Sequence, residues 1–296
     1  MSYCLNPLCP HPENPSRSDV CLSCGQKLLL CDRYRIMQPL GLEQFSAKFL
    51  AIDESLPGRG FCVIKQLRPS TTTPAASQMA RQLFQHEAMT LGKIGNHPQV
   101  PRLLDYFVAN QQFYLCHEYA AGLTLQEEVK QNGSYSEAEV KHFLREILPV
   151  LEYIHSQQVI HRDIKPAHVI RRAQDGKLML TGFGLVKNQP NQNQANNFSP
   201  IALTAYAVGT PGFAPPEQMA LRPVYASDIY ALGVTCIYLL CAKSPEDLAH
   251  NPSTGEMLWQ SNVQVSQDFA EVLRKMLQIS VCDRYQNVSD IIAALN

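Results

Sequence analysis

Four cysteines near the N-terminus have the spacing of a metal site. Cys4 and Cys9 are separated by four residues, Cys21 and Cys24 by two, and eleven residues lie between the pairs. Thiolates are soft ligands that zinc gathers into a tetrahedron. Each short turn presents two sulfurs to one ion, and the spacer brings the second turn round. Gly25, directly after the second pair, suits the tight turn of such a knuckle. Residues 1–32 carry too little apolar material to fold unaided, so a metal or a crosslink must hold them. Structural zinc on Cys4, Cys9, Cys21 and Cys24 is the expectation, with His11 and Cys31 as spare ligands. Disulfide or redox use is the alternative, and a reducing cytosol disfavours it. A four-thiolate site is closed, so it implies no metal catalysis.

The elements that must carry this cluster, and whatever else the chain does, are legible in outline. The 296 residues are 45% hydrophobic and 17% charged, with 25 basic against 26 acidic side chains and a formal charge of −1. That balance excludes bulk attraction to nucleic acid or to an acidic membrane. Arg17, Lys27, Arg33 and Arg35 are too few and too spread to make the knuckle a nucleic-acid footprint. The longest apolar run, Ile229 to Ala242, is shorter than the roughly 20 residues needed to span a bilayer, so it reads as a buried core helix. No basic segment followed by an apolar stretch opens the chain, so the expectation is a cytoplasmic protein with no signal peptide and no membrane span. The remaining cysteines, Cys62, Cys116, Cys236, Cys241 and Cys282, sit among apolar neighbours and read as structural thiols.

Beyond the cysteines, residues 33 to about 122 read as strands around one helix, and 123–296 as mostly helical. "KFLAIDES" and "GFCVIKQL" are strand-like runs with Pro57 and Gly58 turning between them. Met79, Leu83, Ala88 and Leu91 fall on one side of a helix ending near Gly95. Ser136 and Glu139 have capping-box spacing before a helix that turns Val140, Phe143, Leu144, Ile147, Leu151 and Ile154 inward, with Pro149 as a kink point. "VIRRAQDGKLMLT" predicts a hairpin with Asp175-Gly176 at its turn. Residues 187–200, rich in Asn and Gln, predict a loop.

Within this frame "VIHRDIKPAHVI", residues 159–170, resembles the catalytic loop of protein kinases, and Lys165-Pro166 is its serine/threonine form. Further landmarks follow in order. "CVIKQL" supplies Lys65 and the next helix Glu87. "LCHEYAAG" resembles the adenine-binding hinge, with His117 in the gatekeeper place and Glu118 to Ala120 as the connector. "GTPGFAPPEQ" carries Thr210 and Glu217, "SDIYALGV" carries Asp228, and "DRYQNVSD" carries Arg284. With the cysteine knuckle in front, the chain is similar to a group of cyanobacterial serine/threonine kinases. The resemblance implies an α+β, two-lobed protein-kinase fold behind a zinc knuckle at 1–32. The kinase domain would cover 33–296, with a small β-rich N-lobe to about 119 and a larger helical C-lobe from about 120.

The same resemblance assigns expected roles. Asp163 would accept the proton of a substrate hydroxyl, with Lys165 beside it. Lys65, paired with Glu87, would hold the ATP phosphates, under a Gly-rich loop that begins at Gly41. Glu118 and Ala120 would meet adenine through backbone groups. Arg162 would receive an activation-loop phosphate, for which Thr204 is a candidate. Thr210 marks serine/threonine specificity, Glu217 pairs with Arg284, and Asp228 braces the catalytic loop.

Three positions depart from the family pattern. Gly182, in "LTGFGLVK", stands where the metal-binding Asp belongs. His168 stands where the second metal ligand, an Asn, belongs. Mg²⁺ prefers hard oxygen ligands, and imidazole is a poor substitute. Glu43 and Ser46 replace the second and third glycines of the phosphate loop. The expectation is therefore a pseudokinase, or a very slow, metal-independent kinase, acting as a scaffold or regulator beside a partner kinase. The alternative is an active enzyme that phosphorylates a protein substrate, with Mg²⁺ ligands relocated to a residue such as Glu43.

Overall fold

In the computed structural model, residues 1–16, 18–42, 46–55, 57–58, 60–68, 74–188 and 209–295 are described. Two compact units emerge: Met1–Gly95 with Pro101–Tyr119, and Asn96–Val100 with Ala120–Asn296.

The first unit is built on an antiparallel sheet. In chain order its strands are β3 (Leu29–Leu30), β4 (Tyr34–Leu42), β5 (Ser46–Asp53), β6 (Phe61–Leu67), β7 (Leu103–Ala109) and β8 (Gln112–Glu118), and the spatial order is β3-β4-β5-β6-β8-β7. Alternation along β5 buries Ala47, Phe49, Ala51 and Asp53 on one face. β6 is buried on both faces after Phe61, as a central strand should be. Phe49 and Ile64 face each other across the β5–β6 register, and each contributes about 1.5–3 kcal/mol by burial. β4 shifts register between Ile36 and Gln38 and again between Pro39 and Gly41, because Pro39 has no N–H to give the ladder.

The cysteine segment is part of this unit. β1 (Ser2–Tyr3) pairs with β2 (Glu13–Asn14), and Leu5 lies in the same apolar cluster as Tyr34, Ile36, Phe49 and Ile64. The Tyr3 ring sits 5.8 Å from that of Phe49, and Arg68 bonds the Leu5 carbonyl at 3.0 Å. Helix α1 (Pro74–Ile94) starts on a proline, whose fixed φ suits a first turn. It buries Ala80, Phe84, Glu87, Ala88 and Leu91, while Leu83 is half-buried and the Met79 side chain lies outside the described residues.

The second unit is mostly helical. A short sheet of β9 (Gly122–Thr124), β11 (Val169–Arg172) and β12 (Leu178–Leu180) has the order β12-β11-β9. The β11–β12 hairpin turns at Asp175-Gly176, with Gly176 at φ 71°. Helix α2 (Leu125–Asn132) carries a capping box on Thr124 and Glu127, and α3 (Glu137–Ser156) one on Ser136 and Glu139. A capping side chain of this kind contributes about 1 kcal/mol. The six apolar residues expected to face inward on α3 are all buried, and Pro149 lies inside the helix. Two short strands, β10 (Val159–Ile160) and β13 (Lys187–Asn188), pair antiparallel. The polar run therefore begins as a strand where a loop was predicted from 187, and from 189 it lies outside the described residues. Among the described residues beyond 208 lie the helical turn α4 (Pro216–Met219) and the helices α5 (Tyr225–Cys241), α6 (Gln267–Met276) and α7 (Val288–Ala294). Buried on every side from Ala226 to Leu240, α5 is the core helix expected from the apolar run. No helix among the described residues is long and apolar enough to cross a membrane.

Candidate functional site

Lys65 and Glu87 meet in the first unit. The Lys65 ammonium lies 2.6 Å from Glu87 Oε2, and both side chains are more than nine-tenths buried. Desolvating two charges is offset only by close pairing, so the contact fixes the lysine head. Gly41 is at an exposed position on β4, opposite Lys48 of β5, and Ser46 opens β5 as a buried residue. Glu43 lies outside the described residues. Glu118 ends β8; its N–H donates to the Arg102 carbonyl at 2.9 Å, and its carbonyl lies 2.8 Å from His117 Nδ1.

The second unit assembles the catalytic-loop residues. Asp163 Oδ1 accepts a 2.5 Å bond from the Thr210 hydroxyl, which in turn accepts one of 2.6 Å from Lys165 Nζ. Lys165 also lies 3.0 Å from Asp163 Oδ2. Burial pushes the Asp163 carboxyl up in pKa. The His168 and Lys165 charges and the Thr210 bond outweigh it, so the net shift is downward. Asp163 is thus ionised at neutral pH, the form in which a carboxylate can act as a base. Ala120 is buried in this unit.

A fully buried Asp228 holds the loop from below. It accepts from the backbone N–H groups of His161 and Arg162 at 2.8 Å each, and lies 2.9 Å from His155 Nε2. Arg162 needs that hold, because its φ of 69° is a left-handed conformation costly to an L-residue. Its carbonyl is fixed by Gln218 Nε2 at 2.7 Å, and burial pulls its guanidinium pKa down. Thr204, its expected phosphate donor, lies outside the described residues. Glu217 and Arg284 form the predicted pair with two bonds of 2.6 and 2.9 Å, and Ser227 adds a third to the same carboxylate.

His155, His161 and Gln218 were not singled out from the sequence. His161 Nε2 lies 2.9 Å from the Thr181 carbonyl, and burial pulls its pKa down. Its place in the His-Arg-Asp string was the available signal. His155 and Gln218 gave none, because each is placed by a contact more than fifty residues distant.

At the two positions expected to bind metal, the residues do not fit Mg²⁺. Gly182 offers no donor and has φ 86°, ψ 34°. His168 Nδ1 lies 2.8 Å from the Asp163 carbonyl and 3.3 Å from its carboxylate. A Cβ on residue 182 would fall 2.3 Å from that same nitrogen.

The cysteine cluster does fit a zinc ion. The Sγ atoms of Cys4, Cys9, Cys21 and Cys24 all lie within 4.8 Å of one another. The Cys4–Cys24 and Cys9–Cys21 separations are 3.6 Å each. A zinc tetrahedron with bonds of ~2.3 Å has edges of roughly 3.8 Å. Asn14 Nδ2 donates to the Cys21 sulfur at 3.5 Å, and its Oδ1 accepts from the Leu22 N–H at 2.8 Å, which orients the second turn. The Cys24 N–H holds the Cys21 thiol down to about 6, thiolate at neutral pH. Neither His11 nor Cys31 belongs to this group. Lys27, Arg33 and Arg35 each pair with a carboxylate (Asp32, Asp53 and Glu54), which leaves no basic patch among these three.

Comparison with known proteins agrees with this geometry. The protein kinase domain family matches residues 34–293. Serine/threonine-protein kinase B of Synechocystis sp. is 58% identical over 296 residues, covering 100% of this chain and 52% of its own length. The serine/threonine-protein kinase PknA of Nostoc sp. is 41% identical over 272 residues, 90% of this chain and 47% of its own length. Serine/threonine-protein kinase C of Synechocystis sp. is 42% identical over 265 residues, 88% and 49% respectively. The chain spans about half the length of these curated relatives. Through this domain match and these identities, the chain belongs to the serine/threonine protein kinase family.

Proposed function

We propose that this member of the family is catalytically impaired and works in signalling as a scaffold or regulator, with a partner kinase or a kinase substrate as its ligand. The observation that carries the reading is the pair Gly182 and His168, which leaves the phosphate site without either usual metal donor. Metal stabilisation of a transferring phosphoryl group is worth on the order of several kcal/mol. At ~1.4 kcal/mol per tenfold in rate, its loss slows transfer roughly a thousandfold or more.

The rest of the assignment follows the family. ATP would be held through Lys65, Glu87, Gly41 and the backbone at Glu118 and Ala120. Residues 1–32 would be a zinc-bound segment with a structural role, ahead of a kinase domain at 33–296. Protein recognition, with no nucleic-acid partner and a cytoplasmic setting, completes the proposal.

The second reading is an active kinase, and the intact Asp163–Lys165–Thr210 cluster with the formed Lys65–Glu87 pair favours it. Transfer of the γ-phosphate from labelled ATP to a generic protein substrate separates the two. It should be run with Mg²⁺, with Mn²⁺ and with neither, beside an Asp163→Asn control. No transfer above the control supports impairment. Turnover of ~1–100 s⁻¹ that requires Mg²⁺ and vanishes in the control would falsify it.

A further inference from the structure

We infer that His168 and Gly182 are one coupled replacement: the His168 imidazole occupies the space where any side chain on residue 182 would begin, and the same ring is held against the Asp163 carbonyl. The inference rests on the reading that the metal donors are missing, and carries it from lost donors to filled volume.

An ideal Cβ on Gly182 would lie 2.3 Å from His168 Nδ1, 2.5 Å from Cγ and 2.7 Å from Cε1. Carbon atoms in contact sit about 3.5–4.0 Å apart, so all three approaches are clashes. Cγ is the root of the ring, so rotation about χ2 does not clear it. The ring must leave by χ1, and doing so breaks its 2.8 Å contact with the Asp163 carbonyl. The backbone on either side is tied down. His168 N–H donates to the Lys165 carbonyl at 2.9 Å. The His168 carbonyl accepts from Thr181 N–H at 2.8 Å and from the Thr181 hydroxyl at 3.1 Å, and Thr181 adjoins Gly182.

Backbone conformation alone does not select glycine over the family's aspartate. Gly182 is left-handed, but Asp and Asn are the residues that enter that region most readily after glycine. The ring is what excludes the carboxylate. His168 thereby acts as a positioning residue for Asp163, and a metal-binding Asp at 182 becomes possible only when residue 168 is made smaller.

The test uses the full chain, with Mn²⁺ as the probe. Mn²⁺ retained in the presence of ATP, beyond what ATP alone retains, is read by EPR. The proteins compared are the unmodified chain, Gly182→Asp, His168→Asn and the double variant. The double variant should retain Mn²⁺ at least tenfold more tightly than either single variant. A Gly182→Asp protein that binds as tightly as the double overturns the inference, and so does a double variant that binds no better than His168→Asn.

A melting cycle guards against variants that simply fold badly. Gly182→Ala is made with His168 present and again in a His168→Gly background, so the cost of left-handed alanine is common to both. The loss of Tm should be larger by about 2–4 °C or more with the ring present. Equal losses in the two backgrounds overturn the coupling. Tight Mn²⁺ retention by the unmodified chain would overturn the metal-loss reading instead, a result distinct from equal losses in the cycle.

Discussion

The N-terminal knuckle and the catalytic loop each present the side chains of a family that handles divalent ions. In the knuckle, four sulfurs lie close enough together to be the vertices of a zinc tetrahedron, and the Asn14 amide donates to one of them. In the loop, glycine and an imidazole stand at the metal positions, and the imidazole is turned onto the Asp163 carbonyl. Hydrogen bonds shape both regions, yet they shape them toward different ends. The knuckle has almost no apolar interior of its own, and its four thiols are placed where one ion could tie them together. The catalytic loop is completed by protein groups: Asp228 beneath, Gln218 at one side and His168 at the other. Donor chemistry and available space together, rather than fold membership, decide where an ion belongs.

The comparison breaks most decisively at the knuckle. Purified protein should contain one zinc per chain, measured by elemental analysis, and Cys21→Ser should lose it. Zinc binding in small thiolate sites is worth ~10–16 kcal/mol, and Leu5 of the same segment packs in the sheet core. Melting of the Cys21→Ser protein should therefore fall steeply for the whole first unit, not only for residues 1–32. Zinc-free protein that melts unchanged would show that the cluster is not a structural metal site.

Next in size is the Asp228 clamp on the backbone of the catalytic loop. Asp228→Ala leaves two buried backbone donors without their acceptor and should cost about 3–5 kcal/mol. Urea melts followed in added Mg²⁺ should show no recovery. Recovery by Mg²⁺ would mean that an ion does help order the loop.

The smallest effect is a control on the knuckle itself. Lys27 and Asp32 pair at the surface, with side chains 61% and 75% exposed. Lys27→Ala should change stability by no more than ~0.5 kcal/mol and leave zinc content intact. A larger change would mean that the knuckle depends on its surface charges as well as its sulfurs.

Much of this was legible from the chain. The capping box at Ser136, the hairpin at Asp175-Gly176 and the buried helix through Ile229 follow from local chemistry, and local chemistry is what a sequence displays. The Glu217–Arg284 pair was legible only through motif order, since 67 positions separate its members. The integration of Leu5 and Tyr3 into the sheet core was not legible, because a cysteine-rich segment shows its metal ligands and hides the apolar residues it lends to a neighbour. Nor was the collision between residues 168 and 182. Each substitution is visible by itself, and only three-dimensional placement shows that they share a volume.

That shared volume also constrains how the protein can change over generations. A lineage that has acquired the histidine cannot regain the aspartate by one codon change without first passing through a crowded, less stable form. Glycine at 182 leaves room for the ring, and the ring in turn obstructs a return of the carboxylate. Restoring an acidic ligand at 182 therefore takes two changes, one to clear the ring and one to place the carboxylate.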